Sequence, residues 1–331
     1  MTIAAAPAGQ RHSAIDWVKA LAIVSVVMTH SGSGAFPRTP GYTVWDALFA
    51  HTLASFHVPC LFMVSGYLYR KPYALGWRAV AARLERIVPA YLVASVVVLI
   101  LMPWRAPTWS AAVVALLGGD ALSIYYYVFL LALFVATLPL LSRLSLRTMQ
   151  ATVWGLLAAL VAICALPPLV LSHDIFWSLR NPVESFALGY FLLGWIAAAP
   201  AGALTRWSAR LRLGLTVVAA AAWPVCVALG SPYPTILLAK VPYAAAVWTL
   251  AWFLFESKPV PAAVRRLSDA SYGVFLYHYL IQEPLRGPLQ SWPAGARMAV
   301  LVVAGVAGSL LLGAMLRKIA GPRVARRLFG F

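Results

Sequence analysis

The residues best suited to chemistry sit inside apolar stretches. The first reads Ile15-Asp16-Trp17-Val18-Lys19 and runs on through Ser25-Val26-Val27-Met28-Thr29-His30. Lys19 and His30 are separated by about 16 Å along a helix and lie within about 20° of one face. Asp16 stands one turn before Lys19 and is spaced to pair with it. One stripe therefore carries a cation towards one end and an imidazole towards the other. An imidazole titrates at about 6.5 when unperturbed and can move a proton near neutrality. A cation set well apart from it suits a long anionic substrate threaded along the helix. The other reading makes Asp16 and Lys19 interface anchors and His30 a cap on the span. Asp16 is about 21 Å from His30 along the helix, so it cannot orient that imidazole. Asp46 and Glu184, the acids near the outer ends of spans, could do so, or could anchor at the surface.

A second stretch, Phe56-His57-Val58-Pro59-Cys60 through Ser65-Gly66-Tyr67, puts His57 at membrane depth. Pro59 removes a backbone donor there and allows a broken helix beside a cavity. A satisfied core histidine is the alternative, and the Ser-Gly pair suits close helix packing. In Arg83-Leu84-Glu85-Arg86, the two arginines share a helix face, and guanidinium forks suit phosphate as well as membrane anchoring. A late stretch, Ser271-Tyr272-Gly273 through Tyr277-His278-Tyr279, places His278 about 10 Å into its span. The role of His278 could be catalytic, ligand-binding or a hydrogen bond between helices. Tyr125-Tyr126-Tyr127 and Trp248 with Trp252 read as interface belts or core.

The elements that position these groups follow from composition. Of 331 residues 62% are hydrophobic and 11% charged, with a mean hydropathy of +0.83, which excludes an ordinary soluble enzyme. Apolar runs on the ~20-residue scale of a bilayer fall at 14–31, 45–69, 83–102, 122–142, 151–171, 183–199, 211–229, 235–256, 271–289 and 297–316. The stretch 109–117 is too short to cross and reads as interfacial or re-entrant. The fold class expected is all-α: a single polytopic bundle of about ten transmembrane helices over 1–331, with a short cytoplasmic segment 1–13 and no cleavable leader. The 26 basic residues give a net charge of +17. With the N-terminus inside, only Arg38, Arg105, Arg180, Lys240, Arg286 and Arg297 fall outside, so both termini are expected in the cytoplasm. The basic segment 317–331 suits anionic lipid, and no nucleic acid is needed to explain the charge. Cys60, Cys164 and Cys226 lie in apolar runs and suggest neither disulfides nor a metal site.

These residues together resemble the acyltransferase-3 family of bacterial membrane proteins. The resemblance rests on Asp16-x-x-Lys19 with His30, His57-x-Pro59 with Ser65-Gly66-Tyr67, and Arg83-x-x-Arg86-Ile87-x-Pro89-x-Tyr91. Phe186-x-x-Gly189, Phe191-x-x-Gly194 and Ser271-Tyr272-Gly273 with Tyr277-His278 extend it. The family acylates glycans from cytoplasmic acetyl-CoA or another acyl-CoA. The resemblance thus implies a multi-pass O-acyltransferase of the bacterial inner membrane, most simply an O-acetyltransferase, without the extracytoplasmic esterase-like domain some members carry.

It implies His30 as catalytic histidine, acting as general base or acyl carrier. It places Lys19, Arg83 and Arg86 on the CoA, with His57, Glu184 and His278 towards the glycan acceptor. Lys19 stands where arginine is usual and lacks the bidentate fork. No metal is implied. A transporter of an anionic solute or glycan precursor is the alternative from another class, and an accessory scaffold of a polysaccharide-export complex a third. The acceptor sugar, the acyl group and the oligomeric state stay open.

Overall fold

A computed structural model of the chain describes residues 12–32, 53–70, 75–165, 186–198, 216–217, 221 and 233–331. Among these residues every regular element is helical. The helices are α1 Ser13–Ser31, α2 His57–Tyr69, α3 Trp77–Leu101, α4 Trp109–Gly118, α5 Tyr126–Ala136 and α6 Leu138–Leu141. After them come α7 Leu146–Ala165, α8 Ala187–Ala197, α9 Tyr233–Phe255, α10 Ala262–Arg286, α11 Ala294–Ala320 and α12 Pro322–Phe329.

Five described stretches are long and apolar enough to cross a membrane: Ser13–Ser31, Trp77–Leu101, Trp109–Ala136, Leu146–Ile163 and Ala294–Ala320. Their outward faces stay apolar. Ile100 and Leu101 on α3, Trp154 on α7, and Val303, Leu311 and Ile319 on α11 are all more than half exposed. Such faces are unfavourable in water and neutral in hydrocarbon.

Several expected spans change shape. The run 122–142 is not one helix: α5 ends at Ala136, Thr137 turns, and Pro139 opens the short α6. The 109–117 stretch forms α4, about 15 Å long, capped by Thr108, whose hydroxyl oxygen accepts from the Ala111 amide at 3.2 Å. It closes at Gly119 with φ 81°. Gly119 and the 3-10 turn Ser123–Tyr125 therefore divide the apolar run Trp109–Ala136. The 45–69 run starts its α-helix at His57, after a 3-10 turn Leu53–Phe56. Pro59 thus falls in the first turn, where a missing N–H breaks no intrahelical bond. Among the described residues the α-helix begins at His57, and the proline breaks none of its bonds. The 211–229 span lies almost wholly outside the described residues, as do 45–52, 166–171 and 183–185.

The chain forms two compact units. One holds residues up to Ser25 with His51–Arg70 and Leu144–Arg265; the other holds Val26–Ala50, Lys71–Arg143 and Arg266–Phe331. In the first unit α2 and α8 pack backbone to backbone. A Cβ on Gly66 would fall 1.9 Å from the Phe191 carbonyl oxygen, and one on Gly194 would fall 1.9 Å from that of Met63. The Ser-Gly pair and the Phe-x-x-Gly motif are thus two sides of one close crossing. Ser13 donates to the Phe255 and Glu256 carbonyls at 2.7 and 2.5 Å, and Trp17 stacks on Phe255 at 4.4 Å. The start of α1 and the end of α9 therefore share one end of that unit. Trp248 and Trp252 are buried against each other, in the core and not in a belt.

In the second unit α3 packs on α5 and α12, and α11 on α12. Tyr125 is fully buried and donates to the Leu276 carbonyl at 2.7 Å. Tyr272 on α10 donates to the Ile87 carbonyl on α3 at 2.7 Å.

Candidate active site

The second unit gathers a polar cluster where the end of α1 meets α10. The His30 and His278 rings lie 5.4 Å apart, centre to centre, and Tyr279 approaches His30 at 6.2 Å. His278 is fully buried. Its Nδ1 faces the Val274 and Phe275 carbonyls at 3.0 and 2.9 Å. Two acceptors at one nitrogen fix the neutral tautomer with the proton on Nδ1 and leave Nε2 as an acceptor. That Nε2 is buried and has no hydrogen-bond partner among the described residues.

One turn on, Gln282 is also fully buried. Its amide nitrogen reaches Ser31 Oγ at 2.7 Å, the Leu301 carbonyl at 3.1 Å and the Val27 carbonyl at 3.3 Å. Those acceptors orient the amide, because the reversed orientation would set oxygen against two carbonyls. Gln282 Oε1 is then left buried without a partner. A buried polar atom without a partner is unfavourable by about 1–3 kcal/mol. Here two such acceptors stand on one face of one helix, at an i, i+4 spacing, beside a histidine.

Arg286, one further turn along, closes the end of α1. Its Nη2 donates to the His30 carbonyl and its Nη1 to the Gly32 carbonyl at 3.3 Å. The last carbonyls of a helix have no partner of their own, so a cation there holds the end firmly. Arg286 is kept in place by Glu283 at 3.1 Å and by the Tyr279 ring, 5.5 Å from the guanidinium carbon. His30 thus stands on a helix end fixed by α10.

The sequence missed Gln282, and it counted Arg286 only among the basic residues of the outer side. The signal was present: His278, Gln282 and Arg286 recur at i, i+4 and i+8 along one helix face. The helix itself also begins earlier than 271. It starts at Ala262 and carries Arg265, Arg266 and Asp269 in its first turns, too polar for a hydropathy window to include. His278 therefore lies about 24 Å along the helix from its start.

A second polar group of this unit lies along α3. Arg83 and Arg86 share a face of it as their spacing predicts, yet they part company. Arg83 Nη1 turns back to the Ala79 carbonyl at 2.9 Å. Arg86 lines a cavity of about 400 Å³ with Glu85 and with Arg323, Arg326 and Arg327 of α12. The remaining sequence-predicted residues belong elsewhere. Lys19 and His57 are in the first unit, and His57 Nδ1 faces the Ala54 carbonyl. Glu184 and Asp46 lie outside the described residues. Among the described residues no group of three or more His, Cys, Asp or Glu side chains is gathered for a metal ion.

In comparison with known proteins, the acyltransferase-3 family model, an acyltransferase domain, matches residues 12–316. No curated protein and no solved structure matches the chain.

Proposed function

From the premise that this chain belongs to the acyltransferase-3 family, we propose that it is a membrane O-acyltransferase with His30 as general base. It moves an acetyl group from cytoplasmic acetyl-CoA to a hydroxyl of an extracytoplasmic or lipid-linked glycan in the bacterial inner membrane. The observation that carries this reading is the pairing of His30 with His278, whose buried Nε2 has no hydrogen-bond partner among the described residues, as is true of Gln282 Oε1 one turn further along α10. Acceptor atoms held dry lack only donors, and a sugar presents several hydroxyl donors. A sugar hydroxyl delivered between His30 and His278 would satisfy the Nε2 acceptor, and Gln282 Oε1 offers a second acceptor one turn further along. An analogue without those hydroxyls would leave the acceptors unsatisfied and be rejected strongly.

The reaction then follows in one exchange. His30 takes the proton from the sugar hydroxyl as its oxygen attacks the thioester carbonyl. The C–S bond breaks, the ester C–O bond forms, and the departing CoA thiolate recovers a proton from the imidazolium. Arg286 acts through backbone: it holds the His30 carbonyl and so fixes where the imidazole can stand. Lys19 and Arg86 serve the anionic donor, Arg86 from the cavity beside α12. Arg83 belongs to the same helix face and supports it. His57 and Glu184 are assigned to the acceptor side.

The test uses the full chain in nanodiscs with acetyl-labelled acetyl-CoA and a membrane glycan fraction. The reading expects label transfer or thioester hydrolysis by the wild type, abolished in His30→Ala, with CoA binding kept. Turnover of His30→Ala at the wild-type rate would overturn it, as would a wild type that binds no CoA.

A further inference from the structure

The cavity between α3 and α12 holds more positive charge than the fold needs. Arg86 comes from α3, and Arg323, Arg326 and Arg327 come from α12; Glu85 is the one acid among the lining residues. On α12 the three arginines stand at i, i+3 and i+4, so they share one face. All four are exposed, and among the described residues no ion pair or hydrogen bond engages their guanidinium groups. Four like charges facing one space repel each other until an anion enters. The volume, about 400 Å³, falls within the ~300–1,000 Å³ of small-molecule sites.

The position of α12 is built, not left to chance. Gly330 turns the chain with φ 77°, and the Phe331 amide donates back to the Ala325 carbonyl at 3.2 Å. The Phe331 ring is buried and stacks on Tyr277 at 5.8 Å. It fills a slot made by two glycines: a Cβ on Gly273 or Gly313 would fall 2.5 or 2.4 Å from its Cδ1. Ala325 on the inner face of α12 is fully buried. A basic segment that merely lay on lipid would need no such anchor. The slot also gives a physical task to the glycine of the Ser271-Tyr272-Gly273 motif, which holds α12 in register against α3.

We infer that this cavity binds the phosphorylated end of the donor, a 3′-phosphorylated adenosine diphosphate, with Arg323, Arg326 and Arg327 forming one wall and Arg86 the other. This rests on the acyl-CoA reading above and extends it to residues outside the matched 12–316. Three phosphate groups on one ligand match four guanidinium forks in charge and in hydrogen-bonding geometry. The site stands near Ile87, level with Tyr272 on α10. His278 is six residues further along that helix, about 9 Å. The acyl arm therefore has a direction to run, from the arginines towards the histidines.

Anionic lipid headgroups carry the same phosphate chemistry, so the test separates the two. Equilibrium binding of CoA and of dephospho-CoA is measured on the full chain in nanodiscs of phosphatidylcholine alone. The triple variant R323Q/R326Q/R327Q is expected to bind CoA at least 30-fold more weakly, with a smaller loss for dephospho-CoA, which lacks the 3′-phosphate. R317Q/K318Q removes charge from the end of α11 at residues that do not line the cavity, and is expected to stay within twofold of wild type. Phe331→Ala keeps every arginine but frees α12, and should weaken CoA at least fivefold.

A triple variant that binds CoA like the wild type would overturn the inference while leaving the donor reading intact. If it also loses the thermal stabilisation that phosphatidylglycerol gives the wild type, the cavity is a lipid headgroup site. Failure of the wild type to bind CoA in either lipid would instead remove the acyltransferase reading itself.

Discussion

The second unit carries two polar sites of opposite character, and the contrast says how each must work. The histidine cluster has a dry floor. His278 and Gln282 are fully buried, the His278 Nδ1 and the Gln282 amide nitrogen face acceptors, and His278 Nε2 and Gln282 Oε1 have no partner among the described residues. The arginine cavity is wet: its four guanidinium groups are exposed, and what remains is net positive charge. A dry site selects by direction, since a wrongly placed donor leaves a buried atom unsatisfied. A wet site selects by charge, tolerates small displacements and is screened by salt. A transferase that draws a large anion from water and delivers a small acyl group to one hydroxyl needs both, in that order along the path.

Four outcomes would sharpen this contrast, and the largest comes from His30. His30→Ala should lower kcat by about 10²–10⁴-fold, the span of general base catalysis, and leave the CoA Kd within twofold. A comparable rise in that Kd would mean the two sites are not separate. Gln282→Leu comes next. It keeps the volume but removes an acceptor from the substrate and a donor from Ser31 and the carbonyls of Val27 and Leu301. The KM for the glycan acceptor should rise about tenfold and stability should fall by about 1 kcal/mol, visible as a lower Tm. The CoA Kd should not move. A change confined to Tm would make Gln282 a helix-packing residue only.

The same contrast separates what the sequence displayed from what it hid. Ionisable groups in apolar runs stand out, because burying them is unfavourable unless they have a function. His30, His278 and the face shared by Arg83 and Arg86 were visible for that reason, and so was Gly66 as a packing residue. Gln282 is uncharged and did not stand out, although its register with His278 marks it. Arg286 was hidden by its place at a helix end, where any cation looks like an interface anchor. The arginines of α12 were seen as charge but read as lipid-facing. What changes that reading is Phe331, and no local pattern says that its ring fits between glycines 58 and 18 residues away. Helix ends were misjudged for a related reason: hydropathy reports the apolar middle of α10 and omits its charged first turns.

Salt should divide the two sites more gently than mutation. Raising ionic strength from about 0.05 to 0.5 M shortens the Debye length from about 14 to 4 Å, enough to screen exposed arginines from an incoming anion. The CoA Kd should weaken about tenfold. The rate at saturating CoA and acceptor should stay within twofold, because His278 and Gln282 are shielded by protein. Equal losses in both would place the rate-limiting chemistry in the wet site.

The smallest effect concerns the acid in the cavity. Glu85 lines the same space as the four arginines but forms no ion pair with them among the described residues, so its charge opposes an entering anion without tying down a guanidinium. At about 7 Å in a water-like dielectric, one unit charge is worth about 0.6 kcal/mol. Glu85→Gln should therefore tighten CoA about threefold in dilute buffer, with no gain in kcat. At 0.5 M salt the improvement should disappear, as the charge it removes would already be screened. A variant that binds CoA more weakly would instead show that Glu85 orients Arg86, and the cavity would then select by direction as the histidine cluster does.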